Sequence, residues 1–402
     1  MLQSMKVLVF TGLFPSNVWP NHGIFIQQRM AHVARLPQCE VRVVTPVPYY
    51  PPIPLGWRTA YRNIVAQQVL DGMEVDYPRY VMIPKIAMVL QGILLFLSVL
   101  PFVVRLRRKF HFDVIDAHYI YPDGLAAVLL GWWLKVPVVV SARGSDLNVF
   151  EKFPIIRRVI QWTLRRADAV ITVSQGLKDV TGRLGIPSEK VSVIPNGVNP
   201  EIFYPLTKEE ARKYLQLPIR ERKIVVSVGN LTPNKGFDLL IKTLKELAEK
   251  SNENTPLLLI VGEGAYHATL QKIIDDLGVQ PYVQLVGAVP HEQLSWYYNA
   301  ADLVCLMSER EGWPNVILEA LACGRPVMAS RVGGIPEILT SPKVGSLVER
   351  HVPQLVLCMA EALERDWNVL EIVGYAKTFS WNQTAQSVEE VLRSVVRQQR
   401  VV

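Results

Sequence analysis

The chain has 402 residues, half of them hydrophobic and a fifth charged, too long for one ordinary core, so two domains are expected. Its net charge of +7, from 43 Lys and Arg against 36 Asp and Glu, includes no long Lys/Arg block, which excludes a nucleic-acid-binding arm. Cys39, Cys305, Cys323 and Cys358 are scattered without a C-x-x-C spacing; that excludes a disulfide scaffold and fits a reducing, cytoplasmic compartment.

The opening MLQSMKVLVF runs directly into a strand, and no signal peptide is expected. Short β-branched runs at 6–11, 41–45, 113–117, 136–141, 169–173 and 191–194 alternate with helix-length stretches. The runs are continuous rather than alternating, as parallel strands buried on both faces are. Residues 1–200 are therefore expected to form a Rossmann-like, doubly wound sheet. IPNGVNPEIFYPLTKEE, residues 194–210, is rich in Pro, Asn and Gly and reads as a linker. The pattern restarts at 223–228, 257–261, 283–286, 303–307 and 326–329, giving a second α/β sheet over 201–380. A helical pattern at 381–396, carried by Ala385, Val388, Val391, Leu392 and Val395, suits a cap on either domain.

One segment departs from this alternation. Residues 86–104 are apolar apart from Gln91, Ser98 and small residues, then turn basic at Arg105, Arg107, Arg108 and Lys109. The stretch is long enough to span a bilayer, but Pro101 and its place between two strands of one sheet speak against a span. An interfacial helix is the preferred reading, its apolar face in lipid and its basic flank on anionic headgroups; a buried helix is the other. Arg157, Arg158, Arg165 and Arg166 form a second basic cluster, on a solvated helix face or at the same membrane surface.

The chemistry concentrates in the second half. VVSVGNLTPNKGFDLLI, residues 225–241, reads as strand, polar turn and helix, with Lys235 just before the helix. A cation there is opposed by the helix dipole, a conflict relieved if an anion docks on the ammonium and the free backbone N–H groups. The turns VGEG (261–264) and VGAVPHEQL (286–294) each follow a strand, at the carboxyl edge where open α/β sheets bind ligands. SEREGWPNVILEALACGRPV, residues 308–327, places Pro314 at the first helical position. Glu319 is the only charge between Glu311 and Arg325. A carboxylate in a helix apolar all round must be hydrogen-bonded, either in a structural pair or to hydroxyl groups of a ligand. In the first half, His118 follows a strand and on residue type alone reads as a core or rim group. Arg143 and Asp146 in ARGSD orient a ligand or pair with each other. No metal-type His/Cys spacing or placed D-x-D occurs, so no metal is expected.

The spacing of Glu311 and Glu319, the VGNLTPNKG turn and the ALACGRPVMASRVGGIPEIL run resemble the retaining glycosyltransferases of family four, bacterial cell-surface polysaccharide enzymes among them. VLVFTGLFPSNVWPNHGIF, DVIDAHYIYPDG, VPVVVSARGSD and KVSVIPNGVN are similar to further stations of that family, so the resemblance covers nearly the whole chain. It implies a GT-B fold, two Rossmann-like sheets facing each other across a cleft. The N-terminal domain (1–200, with helix 381–402 packing back on it) would bind the acceptor and the C-terminal domain (201–380) the nucleotide-sugar donor. It also implies roles. Glu319 would bind ribose hydroxyls, Glu311 the donor sugar with the backbone from Trp313 through Pro314 and Asn315 to Val316, and Lys235 the diphosphate. Asn230 and Gly262 would belong to the donor loops, Val286 and Gly287 would meet the base, and Gly23 would lie near the phosphates. His118 would sit at the bond being made, with Arg143 and Asp146 orienting donor or acceptor.

Three departures touch the donor contacts: Asn230 where many relatives have Arg, Pro314 in the sugar-facing turn, and an N-terminal loop without paired glycines. The expected function is metal-independent, retaining transfer of a hexosyl group from a nucleoside-diphosphate sugar. No cofactor is expected, and the acceptor is a saccharide or polyprenyl-linked saccharide at the inner face of the cell membrane. A catalytically silent sugar-nucleotide-binding relative and a nucleotide-sugar epimerase are the alternatives.

Overall fold

The structure is a computed structural model that describes residues 4–50, 56–82, 90–148, 153–218, 222–250 and 255–401. It divides into two compact units, residues 1–196 with 381–402, and residues 197–380. In unit 1, β1 (Met5–Phe10), α1 (Ile24–Ala34) and β2 (Cys39–Val44) make the first crossover. β3 (Val47–Tyr49), β4 (Gln67–Leu70), β5 (Met73–Asp76) and β6 (Arg79–Val81) precede α2 (Gln91–Lys109). Then come β7 (Val114–His118), α3 (Leu125–Leu134), β8 (Val138–Ala142), α4 (Ser145–Asn148), α5 (Pro154–Arg166), β9 (Ala169–Thr172), α6 (Gln175–Arg183) and β10 (Val191–Val193).

Among the described residues the main sheet of unit 1 runs β10-β9-β8-β7-β1-β2-β5-β4. Every pairing is parallel except that of β4 with β5. Every residue of β7 and β8 is buried; β8, VVVSA, reads as a nearly continuous apolar run for that reason, whereas β7, VIDAH, buries Asp116 and His118 within its strand. Strand order reverses between β1 and β7: β2 lies on one side, and β8, β9 and β10 follow in turn on the other.

The strands of 47–81 were not among those expected. β4 and β5 form an antiparallel edge hairpin whose two-residue turn, Asp71-Gly72, has φ of 48° and 78°. An Asp-Gly pair with both φ positive is the turn that matches strand twist, and Gly72 takes that φ without strain. α2 begins at Gln91, and 83–89, with the first part of the expected apolar segment, lie outside the described residues. Leu95, Val99, Val103 and Leu106 are buried, while Ile93 and Leu97 are 43% and 56% exposed. Among the described residues no helix is long and apolar enough to cross a membrane.

Unit 2 contains α7 (Lys208–Tyr214), β11 (Ile224–Val228), α8 (Phe237–Lys250), β12 (Leu257–Val261), α9 (His267–Leu277), β13 (Val283–Gly287), α10 (Leu294–Ala300) and β14 (Leu303–Leu306). α11 (Asn315–Ala322), β15 (Val327–Ser330), α12 (Ile335–Ile338), β16 (Gly345–Val348), α13 (Val352–Glu364) and α14 (Val369–Ala376) complete it. Its sheet is parallel in the order β13-β12-β11-β14-β15-β16, and the order reverses between β11 and β14. β16 is an addition to the expected strands. The linker reading holds only for the crossing itself. From Val198 onward the segment belongs to unit 2, with Val198 and Phe203 buried in its core and Val198 N–H donating to the Phe379 carbonyl. α15 (Trp381–Val401) belongs to unit 1, where Ala385, Val388, Leu392 and Val395 join the core that holds Ile26, Met30 and Val33 of α1.

Candidate active site

In unit 2 the loops leaving β11 and β14 meet where the strand order reverses. Glu309 N–H donates to the Asn234 carbonyl at 2.8 Å, and Asn234 Nδ2 donates to the Arg310 carbonyl at 3.2 Å. This stitching brings Lys235 Nζ to 2.6 Å from Glu311 Oε1, which also accepts the Ser308 hydroxyl at 2.6 Å. Ser308 is in turn fixed through its carbonyl, which accepts the Ser330 hydroxyl at 2.6 Å. Gly333 closes the arrangement. Its φ is +53°, and a Cβ there would stand 1.9 Å from the Glu311 carbonyl oxygen, so no side chain fits. Glu311 thus supplies the anion that the cation before α8 calls for. Both bonds fall on Oε1, and Oε2 takes part in neither.

Glu319 lies on α11, 6% exposed. His291 Nε2 is 3.0 Å from Oε1, and the Tyr298 hydroxyl donates to Oε2 at 2.8 Å. Phe203 packs edge-on against both rings. Burial opposes charge on His291, but the hydrogen bond and charge of Glu319, helped by Glu292, prevail and its pKa is raised. Burial, together with Glu319, lifts the Tyr298 phenol well above its ordinary value, so it remains a donor. The sequence placed Glu319 but neither partner. His291 in VPHEQL and Tyr298 on the next helix are distant in sequence, and only the packing of α10 on α11 joins them.

The remaining expected donor residues gather around these two carboxylates' elements. Asn230 is exposed in the loop after β11. Gly262 N–H donates to the Gly287 carbonyl at 2.8 Å, joining the ends of β12 and β13, with Val286 half-buried beside them. Trp313 is half-buried against Phe379, ring centroids 5.9 Å apart. Pro314 is the cap residue of α11 with extended ψ of 102°, one position before the first helical residue, Asn315, rather than at the first helical position as expected. Asn315 and Val316 form the first turn. Among the described residues no group of three or more His, Cys, Asp or Glu is placed to hold one metal ion.

In unit 1, Gly23 caps α1 in a left-handed conformation. His118 ends β7 with its ring wholly buried. Its Nδ1 meets an Arg143 guanidinium nitrogen, and because Arg only donates, the ring carries its proton on Nε2. That nitrogen is 3.3 Å from Asp116 Oδ2. Burial pushes His118 down to about 4, with Asp116 opposing and Arg143 adding to the shift. The neutral ring thus braces Arg143 through Nδ1 inside unit 1, while Nε2, though close to Asp116, has no hydrogen-bond partner among the described residues. The next residue, Tyr119, has φ of +81°, a strained conformation for a bulky side chain.

Arg143 and Asp146 do not pair through their side chains. Arg143 reaches His118 and, at 3.3 Å, Asn196 Oδ1, with Phe25 beneath the guanidinium; burial pushes it down to about 10. The Asp146 carboxylate instead accepts the backbone N–H groups of Ile120, Arg143, Gly144 and Leu147. Arg29, which the sequence did not single out, is fully buried and donates to the Ile194 carbonyl at 2.6 Å. Burial, with repulsion from Arg143, lowers its pKa far below the usual value.

Residues 208–377 match the family model of glycosyl transferases group 1, and residues 38–202 that of glycosyltransferase family 4. A Bacillus subtilis protein, TuaC, named as a teichuronic acid biosynthesis glycosyltransferase, is 30% identical over 90% of this chain and 89% of its own length. The D-inositol 3-phosphate glycosyltransferase of Corynebacterium glutamicum is 27% identical over 73% and 75%. Among solved structures, sucrose-phosphate synthase from Thermosynechococcus elongatus superposes with a TM-score of 0.78 at 20% identity, over 98% of this chain and all of that one. HepE of Anabaena in complex with UDP-glucose gives 0.72 at 20% identity, over 97% of this chain and all of that one.

Proposed function

The chain belongs to the group 1, family 4 glycosyltransferases of the GT-B fold, and on that premise we propose that it moves a hexosyl group from a nucleoside-diphosphate sugar to a saccharide or lipid-linked saccharide. The transfer is retaining, needs no metal and serves cell-surface polysaccharide assembly at a membrane surface. The observation that carries this reading is the Lys235–Glu311 pair, at 2.6 Å, where unit 2 reverses its strand order. Such a reversal is where open α/β sheets bind ligands.

On this reading unit 2 binds the donor and unit 1 the acceptor. Lys235 and the N-terminus of α8 receive the diphosphate and stabilise the charge that grows on it as it leaves. Glu311, whose Oε2 takes part in neither of those bonds, faces the sugar beside the backbone of Trp313, Pro314, Asn315 and Val316. Glu319 takes ribose hydroxyls on the lone pairs that His291 and Tyr298 leave. Val286 and Gly287 meet the base, with Asn230 and Gly262 in the flanking loops, and Gly23 lies toward the phosphates. His118 braces Arg143, and Asp146 shapes the turn that carries it. The acceptor oxygen attacks the anomeric carbon as the bond to phosphate breaks, and its proton passes to the departing diphosphate; retention follows the front-face route that the family resemblance implies. UDP-sugars lead the donor panel because HepE was solved with UDP-glucose.

The membrane contact is proposed for the outer face of α2. Exposed Ile93 and Leu97 lead along it to Arg105, Arg108 and Lys109, apolar side chains for the acyl boundary and cations for anionic headgroups. α2, α3 and α5 contain no Asp or Glu, so nothing acidic on these helices opposes that approach. Radiolabelled transfer from UDP-, GDP- and ADP-sugars into a lipid extract tests the function, with incorporation expected to survive EDTA. Isomerised donor would identify an epimerase, and donor binding without turnover a silent relative.

A further inference from the structure

Unit 1 has its own reversal of strand order, between β1 and β7, and the loops leaving those two strands touch. Asp123, in the loop after β7, accepts the Gly12 N–H on Oδ2 at 2.7 Å. The residue is 6% exposed, and Oδ1 takes no part in the Gly12 bond. Gly12 supplies an independent observation. A Cβ on it would stand 3.3 Å from Oδ2 and 3.5 Å from Oδ1, and the three nearest atoms it would meet all belong to the Asp123 carboxyl. The missing side chain therefore keeps open a position within reach of both carboxyl oxygens. In unit 2 the equivalent place, the reversal between β11 and β14, holds Lys235 and Glu311.

We propose that Asp123 binds the acceptor, its carboxylate receiving the hydrogen bond of an acceptor hydroxyl in the space beside Gly12. The assignment rests on the glycosyltransferase reading above and names the chemistry of its second substrate. An ionised carboxylate only accepts hydrogen bonds, and Asp123 with Asp146 nearby repels anions. The part of the acceptor that enters is thus a neutral, hydroxyl-bearing ring; any phosphate it carries lies elsewhere. Burial pushes the Asp123 carboxyl up to about 7, the Gly12 bond opposing and Asp146 adding. Tyr119 and Tyr80 are the other titratable groups that feel it, both pushed above their ordinary phenol values by burial, so neither changes charge near neutrality. Acceptor binding accordingly weakens as pH falls through about 7.

The experiment measures transfer from a radiolabelled nucleotide sugar to a panel of octyl glycosides by wild type, Asp123→Asn and Gly12→Ala, with donor affinity measured separately by calorimetry. Asn keeps the size and, through its amide oxygen, the Gly12 bond. The expected result is an acceptor KM raised at least tenfold in Asp123→Asn and less in Gly12→Ala, with donor Kd within twofold of wild type. The pH dependence of acceptor KM near 7 should vanish in Asp123→Asn. An acceptor KM within twofold of wild type, or a surviving pH dependence, overturns the proposal. Should Asp123→Asn fail to fold by circular dichroism, Gly12→Ala decides, and an unchanged acceptor KM there overturns it. A wild type that binds donor yet transfers neither to a glycoside nor into a lipid extract refutes the transferase reading itself, and this assignment falls with it.

Discussion

Glu319→Gln separates a ligand-binding carboxylate from a merely structural one. Each Glu319 oxygen already takes one hydrogen bond, from His291 and Tyr298. A carboxylate offers about four lone-pair sites, so about one per oxygen remains for a ribose hydroxyl. Hydrogen bonds to a charged group contribute about 1.5–3 kcal/mol against about 0.5–1.5 for neutral partners. Losing the charge across two such bonds costs about 2–3 kcal/mol, a roughly 30- to 150-fold loss of nucleotide affinity. The fold should survive, because the Tyr298 hydroxyl can turn and accept from the new amide; about 1–3 kcal/mol of stability is lost. That loss depends on pH through His291. Its folded pKa is raised, so the stability it contributes is complete below about 6.5 and fades as pH rises through the folded value. Glu319→Gln removes the partner, so its destabilisation should be larger at pH 6 than at pH 8. Calorimetric titration with UDP, GDP and ADP, and melting at the two pH values, read both effects. Nucleotide affinity within twofold of wild type, alongside a lowered melting temperature, would refute the ribose role.

Three further outcomes follow from the same geometry. Glu311→Gln should lower kcat about 10²- to 10³-fold, the range for removing one group aimed at transition-state charge, and should cost about 1–3 kcal/mol of stability, since the pair is mostly buried, 22% and 11% exposed, and Ser308 loses its charged acceptor as well; a kcat within threefold would contradict the sugar-facing role. Asp146→Asn leaves one amide oxygen where a carboxylate accepts from four backbone N–H groups, and urea denaturation should show about 2–4 kcal/mol lost, a loss under about 1 kcal/mol counting against the clamp. His118, at about 4 in the fold, leaves the unfolded chain binding more protons below its ordinary value near 6.5. Stability should therefore fall by about 1.4 kcal/mol per pH unit from about pH 6.5 toward 4, roughly 3 kcal/mol in all, and His118→Gln should flatten that slope. An unchanged slope would mean the ring is not held neutral.

Much of the fold can be read from the chain because the central strands are buried on both faces and leave uninterrupted apolar runs. The residues of β8 and β11, VVVSA and IVVSV, stand out for that reason. β4 and β5 do not: QQVL is the edge strand and stays partly exposed, and MEVD, though three of its four residues are buried, is short and carries two carboxylates; the Asp71-Gly72 pair between them was the available signal. At the site, a lone carboxylate in an apolar helix marked Glu319, and a cation before a helix marked Lys235. The mutual pairing of Lys235 with Glu311 required the β11–β14 adjacency, which strand runs alone do not specify. His118 was correctly put at a strand end, yet the inward turn of its ring depends on Arg143, which approaches from the neighbouring strand β8.

The chain passes between its two units twice, after Asn196 and again after Ser380. Unit 2 is therefore an uninterrupted stretch set inside unit 1, and the two units face different tasks during synthesis. Unit 2 can complete its core as soon as its own residues have emerged. Unit 1 must wait for Ala385, Val388, Leu392 and Val395 of α15 to fill the space beside α1. The first half-sheet is thus made early and finished last, with residues 381–401 acting as a late keystone. Because loop-closure entropy grows only with the logarithm of length, the intervening unit adds little to that wait in free energy. Truncation before Trp381 should consequently unravel unit 1 while leaving unit 2 a cooperative fold, visible as a single surviving melting transition. The same division makes 197–380 a natural fragment in which to measure nucleotide binding alone.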